Sequence, residues 1–333
     1  MAYITLNKNN FFNNLDIITN HTKSKDKIAI VLKDNAYGHG LLEIALLAKT
    51  YGITKAVVRS EIEAKQIEKF FDYILVLSDY PSRVNEKIRY TINDIDSIQK
   101  FPKNTKVELK VNTGMHRNGI NESQLKEAFV SIKEAELKLE AVFTHHRSAD
   151  ELTSEWFWQN SNFKNVKTKA KELAKEFGFD SLRFHSASSA SVLRSSSFDE
   201  DMARVGIAAY GCLDTYEQLK PVLCLYADKI SSRYMKKGQK VGYGATYTIK
   251  QNCVVSNYNF GYADGFFRTL SNNFTTPDAK ELVGRISMDN SSFISEDEKL
   301  LIFNDARVVA PLVGTISYEI LTSLKAYLKR EIV

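Results

Sequence analysis

Residues 28–52 read IAIVLKDNAYGHGLLEIALLAKTYG, and this stretch sets the pattern for the first two-thirds of the chain. The run Ile28–Leu32 is short and apolar, which is typical of a buried strand. A glycine-containing turn follows it and leads into a helix. The apolar residues of that helix recur at helical spacing, at Leu41, Ile44, Ala45 and Ala48. The stretch therefore predicts one strand–turn–helix unit of a parallel α/β fold.

The same alternation continues to about residue 210. Strand-like runs occur at Ile28–Leu32, Ala56–Val58, Ile74–Leu77, Ile88–Ile92, Val107–Val111, Leu139–Thr144, Leu182–His185 and Val205–Tyr210. Further helical stripes lie between them, at Leu125, Ala128, Phe129 and Ile132, and more loosely at Val166, Ala170, Leu173 and Phe177. Eight such units predict a closed (β/α)8 barrel of the TIM type. A doubly wound open sheet is the alternative, but no G-x-G-x-x-G follows the first strand.

From about Lys220 the texture of the sequence changes. Short β-rich runs such as Gln251–Phe260 and Phe293–Ile294 alternate with Gly, Asn and Asp. The last strong pattern, Ser317–Lys329, is helical. The α/β chain is thus predicted to have a barrel over residues 1–219 and a mainly β domain over residues 220–333.

Composition excludes several classes of function. The chain has 45 basic and 40 acidic residues, a net charge of +5, and no dense basic stripe, so no nucleic-acid partner is expected. No apolar stretch is long enough to span a bilayer, and the N-terminus lacks the apolar run of a signal peptide. The three cysteines, Cys212, Cys224 and Cys253, form no Cys-x-x-Cys pair and have no His at metal-ligand spacing, and their odd, sparse count suggests a reducing compartment. We expect a cytoplasmic protein without a metal site.

Lys33 lies where the first predicted strand ends. The active sites of TIM barrels are built at this carboxyl end of the strands. A lysine amine there can form a Schiff base with an aldehyde. Position alone somewhat favours a surface lysine before a glycine-rich turn.

A phosphate site is expected after strands seven and eight of such a barrel. The sequence there contains HSASSA at residues 185–190 and RVGI at residues 204–207. Small hydroxyl residues at a helix start, and a glycine that lets backbone N–H groups approach, suit a phosphate monoester. A serine-rich turn alone is more often a helix cap. Combined with Lys33, it fits a cofactor with an aldehyde and a phosphate, which is pyridoxal phosphate.

The segment KDNAYGHG at residues 33–40 resembles the cofactor-lysine motif of the alanine racemases. Eight further segments match that family in the same order: residues 110–117 (KVNTGMHR), 144–145 (TH), 185–189 (HSASS), 204–211 (RVGIAAYG), 243–248 (YGATYT), 261–265 (GYADG), 284–289 (GRISMD) and 315–318 (TISY). The resemblance covers nearly the whole chain, and a barrel followed by a β domain is the architecture that it implies.

The resemblance implies a cofactor site and two catalytic groups. Lys33 would hold pyridoxal phosphate as an imine and act as one base, and Tyr243 of the partner subunit in a homodimer would be the opposite base. Arg204 would face the pyridine nitrogen, and His145 would lie between Tyr243 and Arg204. The phosphate would be bound by Tyr37, Ser189, Gly206, Ile207 and Tyr318.

The family pattern also implies a substrate site for alanine. Arg117 and the backbone at Met288, next to Asp289, would contact the substrate carboxylate. Lys110 would be the position that some members carbamylate, and Tyr262 would line the entrance. The implied activity is interconversion of L- and D-alanine, which supplies D-alanine for peptidoglycan.

Other interpretations stay open at this point. A broader-specificity racemase is the nearest, a decarboxylase of the same fold is less favoured, and a non-catalytic pyridoxal-phosphate carrier would lack a second base. Some residues depart from the family pattern and bear on substrate preference: Asn112 for Asp, His116 for Gly, Ser188 for Asn, and His146 and Arg147 for smaller or aromatic residues.

Overall fold

A computed structural model describes residues 2–179 and 181–333. The strands are β1 (Tyr3–Leu6), β2 (Ile28–Val31), β3 (Lys55–Val58), β4 (Tyr73–Val76), β5 (Ile88–Ile92), β6 (Lys106–Lys110), β7 (Lys138–Phe143), β8 (Arg183–His185), β9 (Ala203–Val205), β10 (Leu223–Met235), β11 (Lys240–Val241), β12 (Tyr247–Thr248), β13 (Cys253–Tyr258), β14 (Ser291–Ile294), β15 (Lys299–Phe303) and β16 (Lys329–Ile332). The helices are α1 (Lys8–Thr22), α2 (Lys33–Tyr37), α3 (Leu41–Tyr51), α4 (Glu61–Ile67), α5 (Leu125–Glu134), α6 (Glu155–Phe177), α7 (Ser189–Arg194), α8 (Ala306–Val313) and α9 (Ser317–Ser323).

The described residues divide into two compact units. The barrel unit contains residues 15–34 and 44–209. The sheet unit contains the described residues up to Asn14 together with residues 35–43 and 210–333. The domain boundary after residue 219 stays a prediction.

The barrel unit holds eight parallel strands in the order β8-β7-β6-β5-β4-β3-β2-β9. The first and last strands in sequence, β2 and β9, pair in parallel, and a single bridge between Ser188 and Arg204 lies next to the remaining gap. Strands β2 and β4 are buried along their whole length. This is expected because helices cover the outer face of a barrel strand and side chains inside the barrel cover the inner face. The nearly closed barrel confirms the predicted fold class.

One predicted strand of the barrel is wrong in its extent. The run Val205–Tyr210 was expected to be a strand, but the strand is Ala203–Val205 and residues 206–210 form turns. Ile207 and Tyr210 are almost completely buried. A continuous apolar run shows that a segment is buried, and it cannot distinguish a strand from a buried turn.

The sheet unit is built around the 13-residue strand β10. Its sheet has the order β14-β13-β10-β1-β16, and β15 also pairs with β10. The N-terminal strand β1 is antiparallel to β10 and parallel to β16. A short hairpin of β11 and β12 precedes Cys253. This unit confirms the mainly β C-terminal domain, although its β1 strand was not predicted.

The predicted helix Ser317–Lys329 is wrong in its second half. Helix α9 ends at Ser323, and Lys329 begins β16, which pairs with β1 over four residues. The backbone N–H of Lys325 donates to the carbonyl of Asp264 at 3.2 Å instead of continuing the helix. Leu324 and Leu328 are buried, so the spacing of apolar residues fits either structure.

Candidate active site

Lys33 follows β2 directly and begins an unusual turn. The four residues Asp34–Tyr37 all have φ between +52° and +55°, so α2 is a left-handed turn made without glycine. Such a conformation costs about 1–2 kcal/mol per residue. It is held because the N–H of Asp34 donates to Glu63 Oε1 at 2.7 Å and Asn35 Oδ1 accepts from the N–H of Leu41 at 2.9 Å. Backbone strain of this kind concentrates at functional sites.

Gly38 ends the turn in a place where only glycine fits. Its φ is +78°, and a Cβ atom there would lie 1.9 Å from the carbonyl oxygen of Leu321. The Arg330 guanidinium donates to the Gly38 carbonyl at 2.8 and 3.0 Å. The preceding ring of Tyr37 packs 5.8 Å from the ring of Tyr318. Two of the tyrosines expected to bind a phosphate are therefore neighbours.

Ser189 begins α7 just after β8. Its Oγ accepts hydrogen bonds from the N–H groups of Gly206 at 3.0 Å and Ala208 at 3.3 Å. The structure thus brings together Ser189, Gly206 and the adjacent Ile207. The cluster is a serine hydroxyl beside two backbone donors.

Arg204 is buried and is fixed by several acceptors. It donates to His185 Nδ1 at 2.5 Å, to the Thr144 carbonyl at 2.7 Å and to the Ser186 carbonyl at 3.3 Å. His145 Nδ1 lies 3.5 Å from the guanidinium, the outer limit of a hydrogen bond. Burial, and then the charge of Arg204, lower the pKa of His145 well below its usual value, so this imidazole is neutral at pH 7.

Lys110 ends β6 and is buried among cations. Burial, followed by the charges of Arg117, Arg204 and Lys33, lowers its pKa to about 8. The charges of three cationic side chains, from the end of β2, the loop after β6 and β9, therefore act on Lys110. Such a concentration of positive charge attracts small anions.

The loop that carries Arg117 contains two of the departures from the family pattern. Asn112 Oδ1 accepts from the N–H groups of Gly114 at 3.1 Å and His116 at 3.0 Å, and Asn112 Nδ2 lies 3.0 Å from His116 Nδ1. His116 has φ of +55°, a conformation that favours glycine. The two departures contact each other, and Arg147 donates to the Gly114 carbonyl at 3.0 Å.

Two further departures, His146 and Ser188, both lie close to the Ser191 hydroxyl in α7. His146 is buried, and burial and the charge of Arg204 lower its pKa to about 4. Its Nδ1 lies 3.4 Å from Ser191 Oγ, and Ser188 Oγ lies 3.3 Å from the same hydroxyl. His146 is thus a neutral buried group at pH 7 and adds no charge to the cluster.

The sheet unit gathers the remaining candidate residues. Tyr243, Met288 and Asp289 line one cavity of about 570 Å³. In the sequence, Tyr243 is flanked by Gly242 and Gly244, whose φ values are +70° and +68°. Tyr243 is 66% exposed. A Cβ atom at Gly261 would lie 2.2 Å from the Met288 carbonyl, and the N–H of Tyr262 donates to the Ser287 carbonyl at 3.1 Å.

Sequence reasoning missed the group beneath Arg204. Glu108 lies inside β6, is completely buried, and contacts His185. A carboxylate within the apolar run of a buried strand was the signal that could have identified it. Within residues 2–179 and 181–333, no cluster of three His, Cys, Asp or Glu side chains is arranged to hold a metal ion. Over the same residues, no helix is long and apolar enough to cross a membrane.

These features define a TIM-barrel enzyme with an additional β domain. The family model for the alanine racemase N-terminal domain matches residues 6–214, and that for the C-terminal domain matches residues 222–332. The chain therefore belongs to the alanine racemase family.

Relatives and solved structures agree along the whole chain. The alanine racemase of a Nitratiruptor species is 44% identical and that of Campylobacter concisus is 41% identical, and each comparison covers at least 99% of both chains. A crystal structure of alanine racemase from Bacillus anthracis with bound L-Ala-P has a TM-score of 0.85 at 28% identity and covers 100% of this chain and 95% of that one. The alanine racemase of E. faecalis has a TM-score of 0.86 at 26% identity and covers 100% of this chain and 98% of that one.

Proposed function

We propose that this enzyme interconverts L- and D-alanine with pyridoxal phosphate as its cofactor. The observation that carries the proposal is the position of Lys33, on a strained turn at the carboxyl end of β2, where its charge acts on Lys110 together with Arg117 and Arg204. An amine in a cationic barrel mouth suits an aldehyde cofactor and a substrate that both carry negative charge.

The residues present fit pyridoxal phosphate. The Lys33 amine would hold its aldehyde carbon. By the family resemblance, its phosphate would be bound by Ser189, by the backbone at Gly206 and Ile207, and by Tyr37 and Tyr318, whose rings lie 5.8 Å apart. When bound, this cofactor supplies an electron sink that acidifies the α-proton of an attached amino acid.

Two side chains would move the α-proton. Racemisation removes a proton from one face of the α-carbon and returns one to the other, so it favours two acid–base groups on opposite faces. Lys33 would serve one face and Tyr243 of the partner subunit the other. The 66% exposure of Tyr243 supports a homodimer, because a phenol open to bulk water becomes an effective acid–base group only once a neighbour covers it.

Arg204 would set the protonation state of the cofactor's ring nitrogen. A guanidinium is effectively never deprotonated, so a ring nitrogen that faces it stays unprotonated. The ring is then a weaker electron sink, which limits side reactions such as transamination. His145, neutral and near Arg204, would connect it to Tyr243. Arg117 and the backbone at Met288 would bind the substrate carboxylate, and the adjacent Asp289 would be a supporting residue. Tyr262 would line the entrance to the active site.

The Lys110 amine is expected to take up carbon dioxide as a carbamate as the pH rises through about 8. Only the neutral amine reacts, and it releases a proton as the N–C bond forms. Burial and three neighbouring cations lower the pKa of Lys110 to about 8, and the same cations would stabilise the carbamate anion. After incubation with ¹³C-bicarbonate as the source of carbon dioxide, the ¹³C NMR signal of the carbamate should grow between buffers below and above this pKa. A signal of the same size in Lys110→Arg would refute the assignment.

The proposed activity is tested by the chirality of amino acids after incubation with the purified protein and pyridoxal phosphate. L-Alanine and D-alanine should each approach an equal mixture, and no carbon dioxide should be released, since a decarboxylase would release it. A broader-specificity racemase is the second candidate, favoured by the Asn112–His116 contact beside Arg117, and comparable rates on larger amino acids would support it. Unchanged alanine would overturn the proposal and leave a non-catalytic carrier.

The proposed activity also suggests a cellular role. D-Alanine made by this reaction would supply peptidoglycan synthesis. The three thiols Cys212, Cys224 and Cys253 are free, which favours a reducing compartment such as the cytoplasm.

A further inference from the structure

A buried series of hydrogen bonds runs from Glu108 through His185 to Arg204. The proposed function assigns a role to neither Glu108 nor His185. Glu108 Oε2 lies 2.9 Å from His185 Nε2, and His185 Nδ1 lies 2.5 Å from the Arg204 guanidinium. Glu108 and His185 are 0% exposed. The imidazole also stacks on the Phe143 ring at 4.7 Å, which fixes its plane.

Glu108 and Arg204, the partners of the two ring nitrogens of His185, require the same tautomer of that imidazole. Although burial alone would raise it, the pKa of the Glu108 carboxyl is lowered to about 2, because His185, Arg183 and Tyr73 all favour the carboxylate. A carboxylate only accepts hydrogen bonds, so Nε2 must carry the proton. A guanidinium only donates, so Nδ1 must be the acceptor. Burial lowers the pKa of His185 and outweighs the opposite effect of Glu108, which agrees with a neutral ring.

We propose that Glu108 is a positioning residue for Arg204 that acts by holding His185 as the neutral tautomer protonated on Nε2. The lone pair on Nδ1 then fixes one nitrogen of the guanidinium, and the Thr144 carbonyl fixes another at 2.7 Å. The other tautomer would point an N–H at Arg204 and displace it. The inference deepens the proposed function and rests on it only for what Arg204 does to the cofactor.

The surroundings of Glu108 explain why an amide cannot replace the carboxylate. Its Oε1 accepts from the Tyr73 hydroxyl at 2.6 Å and from Arg183 at 2.9 Å. In Glu108→Gln, the amide oxygen must face these two donors, because an NH2 group there would meet Arg183. The NH2 group then faces His185 Nε2 and forces the proton onto Nδ1, against Arg204.

The tautomer can be measured directly. Long-range ¹H–¹⁵N NMR of the purified full-length protein, with and without pyridoxal phosphate, reports which nitrogen of each of the six histidines carries a proton. The His185 signal is assigned by its loss in His185→Asn. We expect a protonated Nε2 and an unprotonated Nδ1. A proton on Nδ1, with or without one on Nε2, would overturn the proposal whether or not any variant folds.

The variant Glu108→Gln is compared with Glu140→Gln. Glu140 also accepts from Arg183, at 3.0 Å, but it pairs with Arg89 and not with His185. Glu140→Gln therefore removes one negative charge beside Arg183, as Glu108→Gln does, without changing a partner of His185. In Glu108→Gln we expect the Nδ1 tautomer, a fall in kcat of about ten- to a hundredfold with KM for alanine little changed, and faster formation of pyruvate and pyridoxamine phosphate. Glu140→Gln should retain the wild-type tautomer and rates.

The outcomes separate this proposal from the proposed function. Equal effects of the two variants would mean that the loss of either carboxylate beside Arg183 has the same consequence, and would overturn the role of Glu108. A wild-type protein that shows the expected tautomer but leaves alanine unchanged would contradict the racemase proposal and retain the assignment of Glu108 to Arg204.

Discussion

Lys33→Ala protein is expected to bind no pyridoxal phosphate covalently and to lose racemisation by about 10⁴-fold or more, the upper range for removal of a positioned acid–base group. One side chain would both hold the aldehyde and transfer a proton, so no residual pathway should remain. The measurements are the visible absorption of the bound cofactor and the chirality of alanine after incubation. The strained turn at Asp34–Tyr37 depends on backbone and neighbouring polar contacts, so the variant should still fold.

Lys55→Ala is the matched control. Lys55 begins β3, next to β2, and burial lowers the pKa of its amine, so it is a partly buried lysine of the same barrel. It lies at the amino end of its strand, away from the carboxyl ends where barrel chemistry is built. We expect it to retain cofactor and activity. Full racemase activity in Lys33→Ala would show that the proposed mechanism is wrong.

The barrel could be predicted because its strands have a strong local signal. Runs such as Ile28–Val31 and Tyr73–Val76 are buried on both sides, so nearly every residue in them is apolar. The sheet unit gave a weaker signal, since β1 pairs with strands more than 200 residues away. Helix α8 was not predicted because Pro311, which usually ends a helix, lies within it.

The candidate site was predictable only where a side chain is part of a contiguous motif. Ser189 and Gly206 belong to such motifs and contact each other, and so do Tyr37 and Tyr318, whose rings pack together. The left-handed turn after Lys33 was not predictable, because Asp34–Tyr37 contain no glycine and are held by the distant Glu63. The Glu108–His185 contact joins residues 77 positions apart, and only the three-dimensional fold brings them together.

Tyr243→Phe protein is expected to keep its cofactor and to become one-sided in its proton transfers. Lys33 would still exchange the α-proton on its own face, whereas exchange on the opposite face should fall by about 10²- to 10⁴-fold. In deuterated water, one enantiomer of alanine should therefore take up deuterium without inversion, and the other should react slowly. Mass spectrometry combined with chiral chromatography measures both. Equal exchange from both enantiomers would contradict the assignment of Tyr243.

Tyr234→Phe is the control, because Tyr234 is also in the sheet unit and is 64% exposed, close to the 66% of Tyr243. Mixing the two variants that are deficient in racemisation, Lys33→Ala and Tyr243→Phe, then tests whether the phenol comes from the partner subunit. If it does, each mixed dimer has one site with both native residues. Random reassortment of an equal mixture would then restore about a quarter of wild-type activity. If both residues of a site came from one chain, no mixture could contain an intact site, and activity would stay at the level of the separate variants.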